Sequence, residues 1–226
     1  MADLRRGLAG LRLSSALVVA ASLLAACGGD DGGTGVVSDV VRHDSDGLHG
    51  SALAEGWPLP AVSLEDTEGE SVDLAAAADD PLTMVFFGYT HCPDICLAVM
   101  ADVTSAINRL EAEEAEQVDV WFVTTDPARD DGPAIREWLD RFDPEFEGFT
   151  GPLDEITRVA EALHVPIEKG RRLPTGGYEV NHGTPVLGVL EGGEAKVVWT
   201  EGTSAAKLAE DMRTVLEDPS AVGGDA

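Results

Sequence analysis

Two cysteines, Cys92 and Cys96, are the residues of this sequence best suited to carry chemistry. Residues 88–96 read Gly-Tyr-Thr-His-Cys-Pro-Asp-Ile-Cys and lie at the expected start of a helix. Side chains at positions i and i+4 of a helix share a face, so both sulfurs can approach one atom. The unpaired amides and the positive end of the helix dipole favour thiolate over thiol there. This pattern predicts a metal site or a redox site.

The spacing of the cysteines leaves both kinds of chemistry open. Redox centres of the thioredoxin type place two residues between the cysteines, whereas three stand between Cys92 and Cys96. A disulfide is compatible with a distorted first turn, although the Cα atoms would lie near the long end of the usual range of about 4.4–6.8 Å. Two thiolates suit Cu(I), which accepts few ligands, whereas a structural zinc ion normally takes four. A third copper ligand would have to come from elsewhere in the chain.

The elements that must position the cysteines follow from the pattern of apolar residues. Residues 82–87 are an apolar run bounded by Pro81 and Gly88, which predicts a strand buried on both faces. The other predicted elements are a hairpin at 61–64 and 71–74, helices at 94–114, 132–142, 153–163 and about 208–216, strands at 118–123, 186–190 and 195–199, and a surface loop or hairpin tip at 170–177. Open α/β sheets gather ligands at the carboxyl ends of their strands, where the cysteines would lie.

The order of these elements predicts the fold class. A strand, helix, strand and helix, followed by two strands and a helix, is the order of an α/β thioredoxin-like domain with a central mixed β-sheet flanked by helices. An N-terminal β-hairpin and an insertion are added to that core. We assign the domain to residues 51–217 and expect residues 218–226 to form a disordered tail.

The amino-terminal segment predicts export and lipid attachment. Its basic residues are followed by an apolar stretch of 14 residues at 13–26, whereas a membrane-spanning helix needs about 20. Residues 24–28, Leu-Ala-Ala-Cys-Gly, resemble the bacterial lipobox, in which the cysteine is lipidated. We therefore expect a lipoprotein signal peptide at 1–26 and a lipidated Cys27 on the outer face of the bacterial cytoplasmic membrane. Residues 27–50 would be a flexible tether in which His43 and His49 are solvated.

The charge balance excludes one class of partner. The chain has 15 Lys and Arg residues against 42 Asp and Glu residues, a net charge of −27 that becomes −29 once residues 1–26 are removed. Such a surface repels phosphate backbones and anionic lipid headgroups, so we expect no nucleic acid partner. Attachment to a membrane would depend on acyl chains rather than on a basic patch.

Three sequence blocks resemble a known family. Residues 88–96, residues 123–130 (Val-Thr-Thr-Asp-Pro-Ala-Arg-Asp) and residues 180–183 (Val-Asn-His-Gly) are similar in order and spacing to the signature blocks of the SCO/SenC family. The resemblance implies a membrane-tethered copper protein of thioredoxin-like fold that helps to assemble the copper centre of cytochrome c oxidase. It also implies that Cys92, Cys96 and His182 bind the copper, as Cu(I) or Cu(II).

Other residues are candidates for contacts to those ligands rather than to the metal. They are His91, Asp94 and Asp126. We expect Asp94 to bind the free amides of the helix start, and Asp126 to form an internal ion pair or turn, with contact to a partner as the alternative. The placement of His182 agrees with a ligand role, because it precedes the strand at 186–190, and in a thioredoxin-like domain that loop faces the helix start.

Copper delivery is the function that we expect from these features. A copper chaperone would hold copper with Cys92, Cys96 and His182 and pass it to the CuA centre of cytochrome c oxidase subunit II, or to another extracytoplasmic acceptor, without being an enzyme in the ordinary sense. The first alternative is a thiol–disulfide oxidoreductase, in which Cys92 attacks and Cys96 resolves the mixed disulfide. The second alternative is a copper or redox sensor. His182 discriminates between delivery and reduction, because disulfide reduction does not require it.

Overall fold

The computed structural model describes residues 47–172 and 178–222. The predicted signal peptide at 1–26, the lipidated Cys27 and His43 lie outside the described residues, so export and lipid attachment stay predictions. Within the described residues, no helix has both the length and the hydrophobicity needed to cross a membrane.

The described residues form a regular succession of strands and helices. In chain order these are β1 (Ser51–Pro58), β2 (Ser63–Glu65), β3 (Ser71–Asp73), α1 (Leu74–Ala77), β4 (Leu82–Gly88), α2 (Ile95–Ile107), α3 (Ala112–Ala115), β5 (Val118–Thr124), α4 (Gly132–Leu139), β6 (Glu147–Phe149), α5 (Leu153–Ala162), β7 (Ile167–Arg172), β8 (Tyr178–His182), β9 (Val186–Leu190), β10 (Glu194–Trp199), α6 (Ala205–Glu217) and a 3-10 helix at Pro219–Val222. The predicted hairpin is present as β2 and β3.

Six strands form one mixed sheet in the order β1-β10-β9-β4-β5-β6. Strands β4, β5 and β6 are parallel, whereas β9, β10 and β1 add to β4 in antiparallel pairs. Every residue of β4 is buried, because alternate side chains face two cores. Met84 and Phe86 pack with residues of α2, α4 and α6, whereas Val85 and Phe87 pack with residues of α5 and of β2. A mixed sheet flanked by helices confirms the predicted architecture.

The single helix expected at 94–114 is two helices in the structure. Helix α2 ends at Ile107, and α3 begins after Glu111. Glu111 and Glu114 form a capping box, in which the Glu111 amide donates to the Glu114 carboxylate at 2.8 Å. This cap starts a new helix rather than continuing the old one. The apolar spacing runs on to Leu110 because that residue packs against the core beyond the end of α2.

Strands β1 and β6 were not expected from the sequence. Both lie at the edges of the sheet. The pairing of β1 with β10 shifts register between Ala52 and Trp57, and β6 is three residues long, so neither shows a clear alternation of apolar and polar residues. The conformation of each strand is determined by pairing with its neighbour, β10 or β5, rather than by an alternation of apolar residues in its own sequence.

A buried carboxylate fastens the start of the described chain to α6. Asp211 is 1% exposed and accepts hydrogen bonds from the amides of His49 (2.9 Å) and Gly50 (2.7 Å) and from the indole N–H of Trp199 (2.7 Å). We call these four residues the Asp211 clasp. His49 Nε2 also lies 2.8 Å from a carboxylate oxygen of Glu210. The His49 residue is exposed, as expected, but its backbone belongs to the folded domain rather than to the predicted tether.

The folded domain also extends past its predicted carboxyl boundary. Residues 219–222, expected to belong to a disordered tail, form a 3-10 helix. Val222 is buried in the core that contains α2 and α6. The tail prediction is wrong for these residues, because one apolar side chain is enough to dock the turn. Residues 223–226 lie outside the described residues.

Glu147, on edge strand β6, lies among other carboxylates. It pairs in register with Trp121 of β5, whose indole donates a hydrogen bond to Asp119. Partial burial, followed by the charges of Asp119, Asp66 and Asp80, raises the pKa of Glu147 to about 7. Burial also raises the pKa of Asp119. A proton is therefore held at this edge of the sheet more tightly in the folded protein than in the unfolded chain.

Glu147→Gln is expected to flatten the dependence of stability on pH. Because the folded-state pKa of about 7 exceeds the ordinary 4.5, the favourable contribution is complete below about pH 4.5 and is lost as the pH rises through about 7. The midpoint of thermal unfolding, measured from about pH 5 to about pH 8, should fall less in this variant than in the wild type. Glu145→Gln, just before β6, is the control and should keep the wild-type slope. An unchanged slope for Glu147→Gln would contradict this account.

Candidate metal centre

The two cysteines lie together at the carboxyl end of β4, as predicted. Cys92 is in the turn after the strand, and Cys96 is in the first turn of α2. They are 6% and 0% exposed, and both are reduced thiols. The backbone N–H of Cys96 donates a hydrogen bond to the Cys92 sulfur at 3.3 Å. One amide of the helix start is thus directed at a sulfur, which is an arrangement that supports negative charge on it.

Asp94 performs the capping role expected of it. It is the N-cap residue of α2, and its carboxylate accepts a hydrogen bond from the Ile95 amide at 2.6 Å. An acidic N-cap satisfies a donor that has no partner within the helix. The side chain therefore fixes the start of the helix that carries Cys96.

Burial outweighs the effect of the helix start at Cys96. Burial, followed by the hydrogen bond to Cys92, raises the pKa of the Cys96 thiol well above its usual range. A Cβ on Gly88 would lie 3.3 Å from the Cys96 sulfur and 2.7 Å from the Phe122 ring, so the absent side chain lets the strand end approach the thiol. The expectation that the helix start favours thiolate is therefore wrong for Cys96 without a cation, because desolvation disfavours the charged form.

Tyr89 and Arg129 lie beside the thiols. Burial, followed by the nearby Cys92 and Cys96 thiols, raises the pKa of Tyr89 to about 12, so the phenol is neutral. The Arg129 guanidinium lies 5.9 Å from the centre of the Tyr89 ring and forms an ion pair with Asp126. This pair and the turn from Asp126 to Arg129, closed by a 3.0 Å backbone hydrogen bond, agree with the internal role expected for Asp126.

Asp130 is a site residue that the sequence did not single out. Its fully buried carboxylate accepts hydrogen bonds from the amide and hydroxyl of Thr90 and from the hydroxyl of Thr124. The exposed His91 ring lies beside it, with Nδ1 3.6 Å from Asp130 and 2.9 Å from the Thr90 hydroxyl. The available signal was a carboxylate just after the second buried strand, on the ligand-bearing edge, but residue type alone does not distinguish it from Asp126.

His182 is the last residue of β8. It pairs with Ile167 in an antiparallel hairpin formed by β7 and β8, so it ends a strand rather than lying in a plain loop. The next amide, that of Gly183, donates to Pro166 at 3.0 Å. Strand β9 begins shortly afterwards, and its first residue, Val186, pairs with Phe86 of β4. The backbone after His182 therefore reaches the end of β4 at which the cysteines follow.

The side chains that the structure describes bring together two of the three predicted metal ligands, Cys92 and Cys96. Among those side chains, no group of three or more His, Cys, Asp and Glu residues is arranged to hold a metal ion. The ligand role of His182 stays a prediction.

Comparisons with known proteins agree on one family. The family model described as SCO1/SenC matches residues 60–217. A mitochondrial SCO2 homolog of Danio rerio is 29% identical over 135 residues, which are 59% of this chain and 48% of that protein. The chain thus spans about half the length of this curated relative.

Two solved structures have the same fold. The copper-bound structure of Bradyrhizobium japonicum ScoI is 27% identical, with a TM-score of 0.62 over 71% of this chain and 99% of that one. The solution structure of apo Sco1 from Thermus thermophilus is 25% identical, with a TM-score of 0.67 over 76% of this chain and 99% of that one. These similarities confirm the thioredoxin-like fold class. Since the family model covers most of the described domain, the chain belongs to the SCO1/SenC family.

Proposed function

We propose that this protein is a copper chaperone that binds copper through Cys92, Cys96 and His182 and delivers it to the CuA centre of cytochrome c oxidase subunit II. The observation that carries the proposal is the pair of buried thiols at the start of α2, with the Cys96 amide 3.3 Å from the Cys92 sulfur. Two soft donors directed to one side of a helix start suit Cu(I). The copper-bound Bradyrhizobium japonicum ScoI supports the choice of metal.

Delivery would proceed by ligand exchange with copper as the cargo. Cys92 lies in a turn and is 6% exposed, whereas Cys96 is fully buried within α2. An incoming thiolate of the acceptor would therefore replace Cys92 before Cys96, with one copper–sulfur bond formed as one is broken. The Tyr89 phenol beside the thiols is buried and stays neutral, so it adds no negative charge to the site.

The location proposed for this activity is the outer face of the cytoplasmic membrane. The two acyl chains of a diacylglycerol on Cys27, usually joined by a third, N-linked acyl chain, would meet the requirement of at least two chains for stable attachment. The anchored protein would then meet an acceptor that lies in the same membrane.

Thiol–disulfide exchange is the alternative favoured by one observation, the amide hydrogen bond to the Cys92 sulfur. The Cys92 thiolate would attack an acceptor disulfide and release one acceptor thiolate. Cys96 would then attack Cys92, release the second acceptor thiolate and leave a Cys92–Cys96 disulfide. The high pKa of the buried Cys96 thiol slows that second step, because the attacking species is the thiolate.

His182→Ala tests the copper role directly. Titration of the reduced chain with Cu(I) against a competing chelator should give one copper per wild-type chain and an affinity about tenfold or more lower in the variant. His164→Ala is the matched control, because His164 stacks on Trp57 at 4.4 Å and should leave the affinity unchanged. Equal affinities for His182→Ala and the wild type would contradict the three-ligand site.

A deletion strain separates delivery from sensing. Cytochrome c oxidase activity should be lost in the strain and restored by added copper if the protein delivers the metal. Failure of added copper to restore activity would contradict delivery.

A further inference from the structure

A fully buried carboxylate, that of Asp130, connects the segment before Cys92 to the neighbouring strand. One carboxylate oxygen accepts hydrogen bonds from the Thr90 amide and the Thr124 hydroxyl, each at 2.8 Å. The other accepts the Thr90 hydroxyl at 2.6 Å. Burying a carboxylate is costly unless such donors compensate. Three hydrogen-bond donors compensate the burial of the Asp130 carboxylate, and two of these three donors belong to Thr90.

We propose that Asp130 is a positioning residue for the metal site, which sets the Cys92 sulfur relative to the Cys96 sulfur by holding Thr90. The copper measurement below rests on the proposed function, whereas the thiol measurement does not.

The two sulfurs belong to two separately held pieces of chain. Cys92 closes a tight turn in which its amide donates to the Tyr89 carbonyl at 3.1 Å, and Thr90 lies inside that turn. Cys96 is held by α2, whose start is capped by Asp94. Besides the hydrogen bond from the Cys96 amide to the Cys92 sulfur, the separation of the sulfurs depends on how firmly the turn is held. Asp130 holds the turn through both the amide and the hydroxyl of Thr90.

Two further hydrogen bonds join these strands just before the turn. The Thr125 amide and hydroxyl donate to the Gly88 carbonyl at 2.6 Å and 3.1 Å, which fixes only the end of β4. Asp130 is itself fixed from two sides. Its amide donates to the Asp126 carbonyl at 3.1 Å, and its carbonyl accepts the Thr150 hydroxyl at 2.9 Å. It is thus a rigid support of the kind that a preorganised site requires.

Asp130→Asn separates position from charge. Its amide oxygen can accept from the Thr90 amide and the Thr124 hydroxyl, and its nitrogen can donate to the Thr90 hydroxyl, which is also an acceptor. The shape and the hydrogen bonds are kept, and the negative charge is removed. Asp130→Ala removes both.

Copper affinity is the first measurement. The full chain, reduced and held in detergent, is titrated with Cu(I) against a competing chelator. Asp130→Ala should lower the affinity about 10- to 100-fold, and Asp130→Asn should stay within about threefold of the wild type. An unchanged affinity for Asp130→Ala overturns the proposal, and so does an equal loss in Asp130→Asn, since charge rather than position would then be responsible.

The equilibrium with glutathione is the second measurement, and it requires no copper. Oxidised glutathione converts the two thiols to a Cys92–Cys96 disulfide and is reduced to two glutathione thiols. Asp130→Ala should change this equilibrium constant more than about threefold, and Asp130→Asn should not. If the wild type binds no copper but the equilibrium constant of Asp130→Ala still shifts, the proposed function fails and the positioning role stands.

Thr90→Val is the second variant, to be used if Asp130→Ala does not fold. It removes the 2.6 Å hydrogen bond from the Thr90 hydroxyl to Asp130. Unchanged values of the copper affinity and of the glutathione equilibrium constant in this variant overturn the proposal.

Discussion

Replacing Cys96 by serine is expected to lower the Cu(I) affinity at least about a thousandfold, or about 4 kcal/mol. A serine hydroxyl is a hard donor that stays neutral, whereas Cu(I) prefers soft thiolates. Cys96 is 0% exposed and lies in the core among Phe86, Phe122 and neighbouring apolar residues, so neither water nor another side chain can take its place. The measurement is a Cu(I) titration against a competing chelator without oxygen.

Cys27→Ser is the matched control for that loss. Its predicted role is lipid attachment, so the purified variant should bind Cu(I) with wild-type affinity. Circular dichroism should show that Cys96→Ser remains folded, because the two side chains differ by one atom. Retention of affinity within about tenfold of the wild type would show that Cys96 is not a ligand.

Replacing Asp211 by alanine is expected to lower the free energy of unfolding by about 3 kcal/mol or more. The change removes the acceptor of the Asp211 clasp and leaves the buried Trp199 indole N–H and the His49 and Gly50 amides without it. Each buried donor that loses its acceptor costs about 1–3 kcal/mol. Urea unfolding near neutral pH measures the loss, with the slope checked for two-state behaviour.

Glu210→Ala is the matched control for the Asp211 clasp, because it removes the adjacent carboxylate of α6. The Glu210 side chain is 64% exposed and pairs with His49 at the surface. Exposed pairs of this kind contribute about 0–1 kcal/mol. Equal destabilisation by the two variants would contradict the assignment of the anchoring role to Asp211.

The parts of the fold that could be predicted are those in which one local pattern suffices. Strand β4 is apolar throughout because both its faces are buried, and the cysteine pair follows from its spacing at a helix start. Edge strand β1 lacks such a pattern, because its pairing with β10 determines its conformation. The end of α2 cannot be predicted from the apolar spacing, because Leu110 continues that spacing after the helix has ended at Ile107.

The site shows the same division between local and distant determinants. The capping role of Asp94 could be predicted because its partner, the Ile95 amide, is adjacent. The role of Asp130 depends on Thr90, 40 residues earlier in the chain, and on the parallel pairing of β4 with β5, which places the ends of both strands at one edge. The Asp211 clasp joins residues more than 160 positions apart. Contacts of that separation leave no periodic signal.

The antiparallel pairing of β1 with β10 determines at which end of the sheet the described chain enters its first strand. Ser51 pairs with Val198, Val198 with Leu187, and Leu187 with Val85, so the four lie in one row across the sheet. Three strand spacings of about 4.8 Å separate the ends of that row, or about 15 Å. Strand β1 therefore begins near the end of the sheet at which β4 ends and the cysteine turn departs. Under the proposed lipid attachment of Cys27, the domain would be tethered through the strand that begins at the cysteine end of the sheet, and it would meet an acceptor close to the membrane surface.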